Sequence, residues 1–168
     1  MLQLFMFLHI GAAIVAFGPT FALSIVGAMS GKEPQHGNFA LRVAERISTL
    51  LVYPFALSLP VTGVGLIYLG EVDWTRPWLL VAIVLYVIVA AYALIIQRSV
   101  LLRMITLTSR GPGGGPAPGA PVGPPPGGAP GGPPPEFLAL VKRSQQGGMI
   151  LAVLFVAILA LMVFKPGA

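Results

Sequence analysis

The chain has 168 residues, of which 56% are hydrophobic and only 9% charged, and its mean hydropathy is +0.89. Soluble domains do not have such a composition; it describes an integral membrane protein. The absence of cysteine excludes disulfides, thiolate metal sites, iron–sulfur clusters and cysteine nucleophiles, and the formal charge of +5 marks membrane topology rather than a nucleic-acid partner.

Four apolar segments, approximately 4–28, 48–69, 78–97 and 147–164, are long enough to cross a hydrocarbon core of roughly 30 Å as helices. The expected fold is therefore all-α, a four-helix transmembrane bundle. The first segment is expected to stay as a span rather than act as a cleaved leader, because Met1-Leu2-Gln3 carries no basic residue and the apolar run exceeds a signal h-region. It contains His9, the one readily ionisable side chain within the four segments. Burial in hydrocarbon disfavours an imidazolium, so a neutral ring there needs a hydrogen-bond partner, a metal or a cofactor. Small residues recur along the same segment at Gly11, Ala12, Ala16 and Gly18, where they allow neighbouring helices to approach closely.

Residues 38–47 place Phe39, Val43 and Ile47 four apart with Arg42, Glu45 and Arg46 between them, the pattern of an amphipathic helix running into the second span, with Asn38 as its N-cap. The second span holds Pro54 and Pro60 followed by Gly63 and Gly65. Each internal proline removes a helical hydrogen bond and predicts a kink. Pro60, Gly63 and Gly65 read as packing positions, and Thr20, Ser24, Ser58 and Thr62 as hydroxyls that bond backbone carbonyls or reach across an interface. A short acidic and aromatic loop, with Glu71, Asp73 and Trp74, leads to Pro77 and Trp78 at the start of the third span.

The third helix is expected to run past the membrane through residues 98–110. Residues 111–135 contain only Gly, Pro, Ala and one Val, too little apolar mass to fold, and read as a disordered linker to the fourth helix within 136–168. Helices one to three with the amphipathic segment occupy 1–110, and the fourth helix completes the same domain. Lys32, Arg42, Arg46, Arg98, Arg103, Arg110, Lys142 and Arg143 would all lie on one side, with only Arg76 and Lys165 opposite. The positive-inside rule puts the first group and the linker in the cytoplasm and both termini outside.

A rise of 1.5 Å per residue puts His9 roughly 7–8 Å below the outer boundary, level with Gly63 and Gly65, with Ala82 and Tyr86, and with Ala160 and Leu161. None is a strong metal ligand. Met6 precedes His9 by three residues and can share its helix face, so a thioether and an imidazole together are the candidate ligand set for copper or haem iron. The other histidine, His36, belongs to the cytoplasmic loop, and one haem cannot bridge residues on opposite sides of a bilayer. No phosphate-cradling loop, zinc motif or nucleophile–base pair occurs.

The run Phe7-Leu8-His9-Ile10 with small residues through Gly18, the Pro60-x-x-Gly63 turn, Trp78 at the start of the third helix and a lone fourth helix resemble the bacterial inner-membrane family named domain of unknown function 2269. That group is similar in layout to the copper-resistance CopD-like proteins and to the membrane-bound protoporphyrinogen oxidases, four-helix bundles with a histidine in the first helix. The resemblance implies a bacterial inner-membrane protein and singles out His9. The oxidases also imply a lysine in the third helix, and residues 77–97 contain none.

Three functional readings follow. The first is a non-enzymatic accessory subunit that uses small-residue faces to join other membrane subunits, or copies of itself, in the lipid bilayer. The second is a haem- or copper-binding redox protein with His9 as ligand and Met6 or another chain supplying the second. The third is a small transporter built on the Pro54/Pro60 interruption.

Overall fold

The structure is a computed structural model that describes residues 1–110 and 134–166. Among these residues it is all-helical, with four helices long and apolar enough to span a membrane: α1 (Leu2–Lys32), α2 (Gly37–Leu69), α3 (Pro77–Ser109) and α4 (Pro135–Phe164). Each is longer than its apolar segment. The excess lies mostly at the basic end, where α2 includes the amphipathic residues Gly37–Ile47, α3 runs on through residues 98–110 and α4 begins a dozen residues before its apolar stretch. The expected linker falls almost wholly outside the described residues, and Pro135 already opens α4.

Packing is pairwise. Helix α1 lies mainly against α2, α3 lies against α4, and the two pairs meet chiefly where the basic-end extensions of α2 and α3 pack together. Helices α1 and α4 touch through the stacked rings of Phe17 and Phe155, 4.0 Å apart. Two small cores mark the ends of the bundle. Ile67, Trp78 and Leu79 are buried at the acidic end, with Val72, Leu161 and Met162 packed on them. Val100, Met104 and Leu140 are buried at the basic end against Leu41 and Phe137.

The α2–α3 turn is built from local chemistry. Glu71 adopts a left-handed conformation (φ 51°), and Val72 N–H returns to the Ile67 carbonyl at 3.1 Å, which ends α2 in a Schellman turn with Val72 packed on Ile67. Asp73 Oδ1 then accepts from the Thr75 amide at 2.9 Å and the Thr75 hydroxyl at 2.8 Å. These bonds, helped by Arg76, hold the Asp73 carboxyl below its ordinary range. Trp74 packs edge-on to Tyr68 at 5.8 Å, and Lys165 Nζ lies 5.8 Å from the Trp78 ring centre, so this end carries the aromatic rim that membrane interfaces favour.

One expected cap is corrected. Asn38 is not the N-cap of α2, because the helix already starts at Gly37 after a single 3-10 turn at Pro34–His36. Asn38 is instead buried, and its amide donates to the Thr108 hydroxyl at 2.8 Å, the Ser109 hydroxyl at 3.1 Å and the Ile105 carbonyl at 3.3 Å. Tertiary partners on α3 outcompete the local capping role, since a buried amide must be satisfied.

The two prolines of α2 are accommodated differently. Immediately before Pro54 the helix widens into a π-helical turn at Ser48–Val52, with Tyr53 N–H bonded to the Ser48 carbonyl. Pro60 lies in regular helix on an exposed face. Its missing N–H would have bonded the Ala56 carbonyl four residues back, and Tyr86 of α3 supplies that bond from its hydroxyl at 2.6 Å. A backbone defect in one helix thus becomes a polar contact to another.

Candidate functional site

Helix α1 presents two seams with the same alternating three- and four-residue spacing on opposite sides. Leu2, Phe5, His9, Ala12 and Ala16 form the inner one, and Phe7, Gly11, Ile14, Gly18, Phe21 and Ile25 the outer one.

The inner seam packs on α2. Ala16 is completely buried and Ala12 is 6% exposed. The Phe5 ring lies directly over the bare backbone of Gly65, and a Cβ on Gly63 would lie 3.5 Å from His9 Cε1. At the end of the seam a Cβ on Gly70 would meet Leu2 Cδ1 at 3.6 Å. Leu2 with Gly70, Phe5 with Gly65 and His9 with Gly63 is the register of an antiparallel pair. In a membrane, where no hydrophobic driving force brings helices together, such close backbone approach is a main source of attraction.

His9 is half-buried in this seam, and its Nδ1 lies 2.9 Å from Thr62 Oγ1. The Thr62 hydroxyl donates its single proton within its own helix, to the Ser58 carbonyl at 3.0 Å and the Leu59 carbonyl at 3.1 Å. A hydroxyl engaged in this way offers its oxygen to His9, which favours the ring proton on Nδ1. Leu59 O is the backbone acceptor beside the same ring. With the proton on Nδ1, the Nε2 side of the ring would be left to present a lone pair. Metal-binding histidines commonly have this arrangement, one nitrogen held by an outer partner and the other presented to the ligand.

The remaining predicted residues are distributed as follows. Met6 is 48% exposed on the outside of α1, and no group of three His, Asp or Glu converges anywhere among the described residues. The described residues thus present one oriented imidazole, that of His9, and no enclosed ligand set around it. Tyr86, expected level with His9, reaches instead to Ala56, six residues before Thr62 on α2, because the carbonyl freed by Pro60 draws its hydroxyl there. His36 is exposed at the opposite end of the bundle, 3.9 Å from Glu33. Gly11 and Gly18 take no part in packing among the described residues, since a Cβ on either would meet nothing within 4 Å.

Depth counting pointed to Gly63, one residue from the His9 partner. A hydroxyl at the same level, Thr62, was the signal that could have found it. A second polar contact has a weaker signature. Gln97, at the end of a π-helical turn in α3 (Tyr92–Gln97), donates to the Ser144 carbonyl at 3.2 Å and hydroxyl at 3.3 Å, while Gly147 of α4 makes room for Gln97 and Tyr92. Only the amide at the edge of an apolar run and the Gly147-Gly148 pair hint at it in the sequence.

No curated protein and no solved structure matches this chain. A family model does, that of predicted integral membrane protein (DUF2269), over residues 3–112, which takes in both seams of α1, the His9–Thr62 pair and the whole of α2 and α3. The chain belongs to that family of integral membrane proteins.

Proposed function

We propose that this protein is a non-enzymatic subunit of a membrane assembly, joined to other transmembrane helices through the outer seam of α1, in a bacterial inner membrane with both termini outside. One observation carries the reading: the outer seam has the features of a helix-packing surface and nothing among the described residues covers it. Gly11 and Gly18 form a floor, with Phe7, Ile14 and Phe21 on the flanks exposed at 72%, 66% and 61%. Against lipid alone a glycine floor has no use and weakens the helix; against another helix it lets the backbones approach closely. The eight-to-two division of basic residues supports the orientation.

The test is the size and composition of the particle extracted in a mild detergent. Wild-type protein is expected to run with a constant partner or as an oligomer, and Gly18→Leu, which fills the floor without touching the α1–α2 contact, is expected to release it as a folded monomer. A lone monodisperse chain for both proteins overturns the reading.

A second reading rests on a separate observation, the Nδ1–H tautomer that Thr62 imposes on His9. His9 Nε2 would be one axial or primary ligand to haem or copper, with the second from a partner chain or from Met6 after rotation; the bound group would supply one-electron chemistry. The visible spectrum and the iron and copper content of protein from cells supplied with both decide it. A Soret band or stoichiometric metal lost in His9→Ala supports this role, and a colourless, metal-free assembly rejects it.

A further inference from the structure

The two π-helical turns, Ser48–Val52 in α2 and Tyr92–Gln97 in α3, lie beside an apolar crevice between α1, α2 and α3. Its enclosed part is about 50 Å³, its wall exposes no polar atoms, and Phe17, Tyr53, Leu57, Tyr86, Ala93 and Leu94 are among the residues lining it. On α3 the lining runs from Tyr86 to Leu94, about 12 Å along the helix axis at 1.5 Å per residue. The crevice is therefore a slot parallel to the helices, reaching from the basic end towards the middle of the apolar zone. At its mouth, one turn beyond Leu94, Arg98 is exposed and lies with its guanidinium carbon 5.9 Å from the ring centre of Tyr53, a lining residue. Arg98 makes no ion pair among the described residues, and Glu45, whose charge also acts on Tyr53, accepts the Thr49 hydroxyl at 2.9 Å. Arg46, two turns before Tyr53 on α2, is also exposed.

From this juxtaposition of an apolar slot and a cation at its mouth, we infer a binding site for one anionic phospholipid, with an acyl chain in the slot and the phosphate on Arg98. The occupant follows from charge and shape together. A zwitterionic or neutral lipid would fill the slot but gain little from the arginine, and free phosphate would pair with the arginine but leave the slot empty. An anionic phospholipid satisfies both, and a guanidinium held beside an aromatic ring can turn its donors to a phosphate oxygen. The site is separate from the outer seam of α1 and stands whether or not that seam carries a partner.

Native mass spectrometry of the full chain, delipidated in a neutral detergent and titrated with phosphatidylglycerol or with phosphatidylcholine of the same chains, tests it. One phosphatidylglycerol should be retained in preference to phosphatidylcholine by about fivefold, the order expected of one arginine near a lipid phosphate. Arg98→Gln, an exposed change that leaves the fold intact by circular dichroism, should bring the two lipids to parity, and Ala93→Phe should weaken both by filling the slot. Equal retention by the wild type, a preference unchanged in Arg98→Gln, or displacement of the lipid by inorganic phosphate at equal concentration overturns the proposal.

Discussion

The two sides of α1 have nearly the same sequence rhythm and opposite fates. On the inner side, small residues and His9 are pressed against α2, so that Gly65 lies under Phe5 and the imidazole meets the Thr62 hydroxyl. On the outer side, glycines at the same spacing meet nothing. A glycine in a membrane helix is therefore not a packing residue by identity. It becomes one when the neighbouring helix brings a bulky ring or a backbone to its level, and an unfilled glycine floor is the surface on which the proposed partner would sit.

The sharpest way to break this contrast is to make one change on both sides. Gly65→Ala places a methyl group inside the Phe5 ring, so it should destabilise the protein by about 1–3 kcal/mol, seen as a lower unfolding temperature in detergent. Gly11→Ala has open space and should leave stability unchanged or raise it by about 0.5 kcal/mol through helix propensity. Equal effects at the two positions would refute the assignment of inner and outer faces.

Next in size is the proline contact. Tyr86→Phe should cost about 1 kcal/mol by leaving the Ala56 carbonyl unpaired in an apolar environment. In a Pro60→Ala background the helix supplies its own donor, and the same change should cost much less. A double-mutant cycle on unfolding free energies reads this coupling, and additive effects would disprove the compensation.

Thr62→Val keeps the shape of the residue at the inner seam but removes the acceptor of His9, with an expected loss of about 0.6 kcal/mol. Its more informative effect is on the ring itself: the tautomer should no longer be fixed, and the ¹⁵N shifts of the two imidazole nitrogens should move together. Shifts that stay as in the wild type would show that Thr62 does not set the tautomer.

The smallest effect lies outside the membrane, in the turn between α2 and α3. Asp73 is fully exposed, yet its carboxyl is held below the ordinary range, first by the Thr75 amide and then by the Thr75 hydroxyl. A depressed folded-state pKa adds stability that is present above the unfolded value and lost as pH falls through the folded one. The Asp73 side-chain carboxyl resonance should titrate below the usual carboxylate range, and Thr75→Ala should move it part of the way back. A titration unchanged by that substitution would reject the hydroxyl as a cause.

The spans were legible because nothing overrides hydropathy in a membrane chain: an apolar run long enough to cross can satisfy its backbone only as a helix. The level of His9 against α2 followed from helical rise, which led to Gly63 because neighbouring helices share levels. What did not follow was direction. Rise gives depth but not the angle at which two helices meet, so Gly11 and Gly18 could not be told from Ala12 and Ala16 as inner or outer positions. Asn38 was misread for a related reason. Its capping role is a local rule, whereas its partners Thr108 and Ser109 lie about seventy residues away on α3. The destination of Tyr86 required knowing that Pro60 had left one carbonyl open opposite it.

Site-directed photo-cross-linking along α1, in the native membrane, tests the central claim most directly. A photoreactive residue is placed in turn at Phe7, Ile14 and Phe21 on the outer seam and at Ala12 and Ala16 on the inner one. Protein adducts should form at the three outer positions and to the same chain each time, while the inner positions yield only links within the protein, between α1 and α2. Adducts to lipid alone at Phe7, Ile14 and Phe21 would contradict the claim that this face of α1 exists to meet another helix.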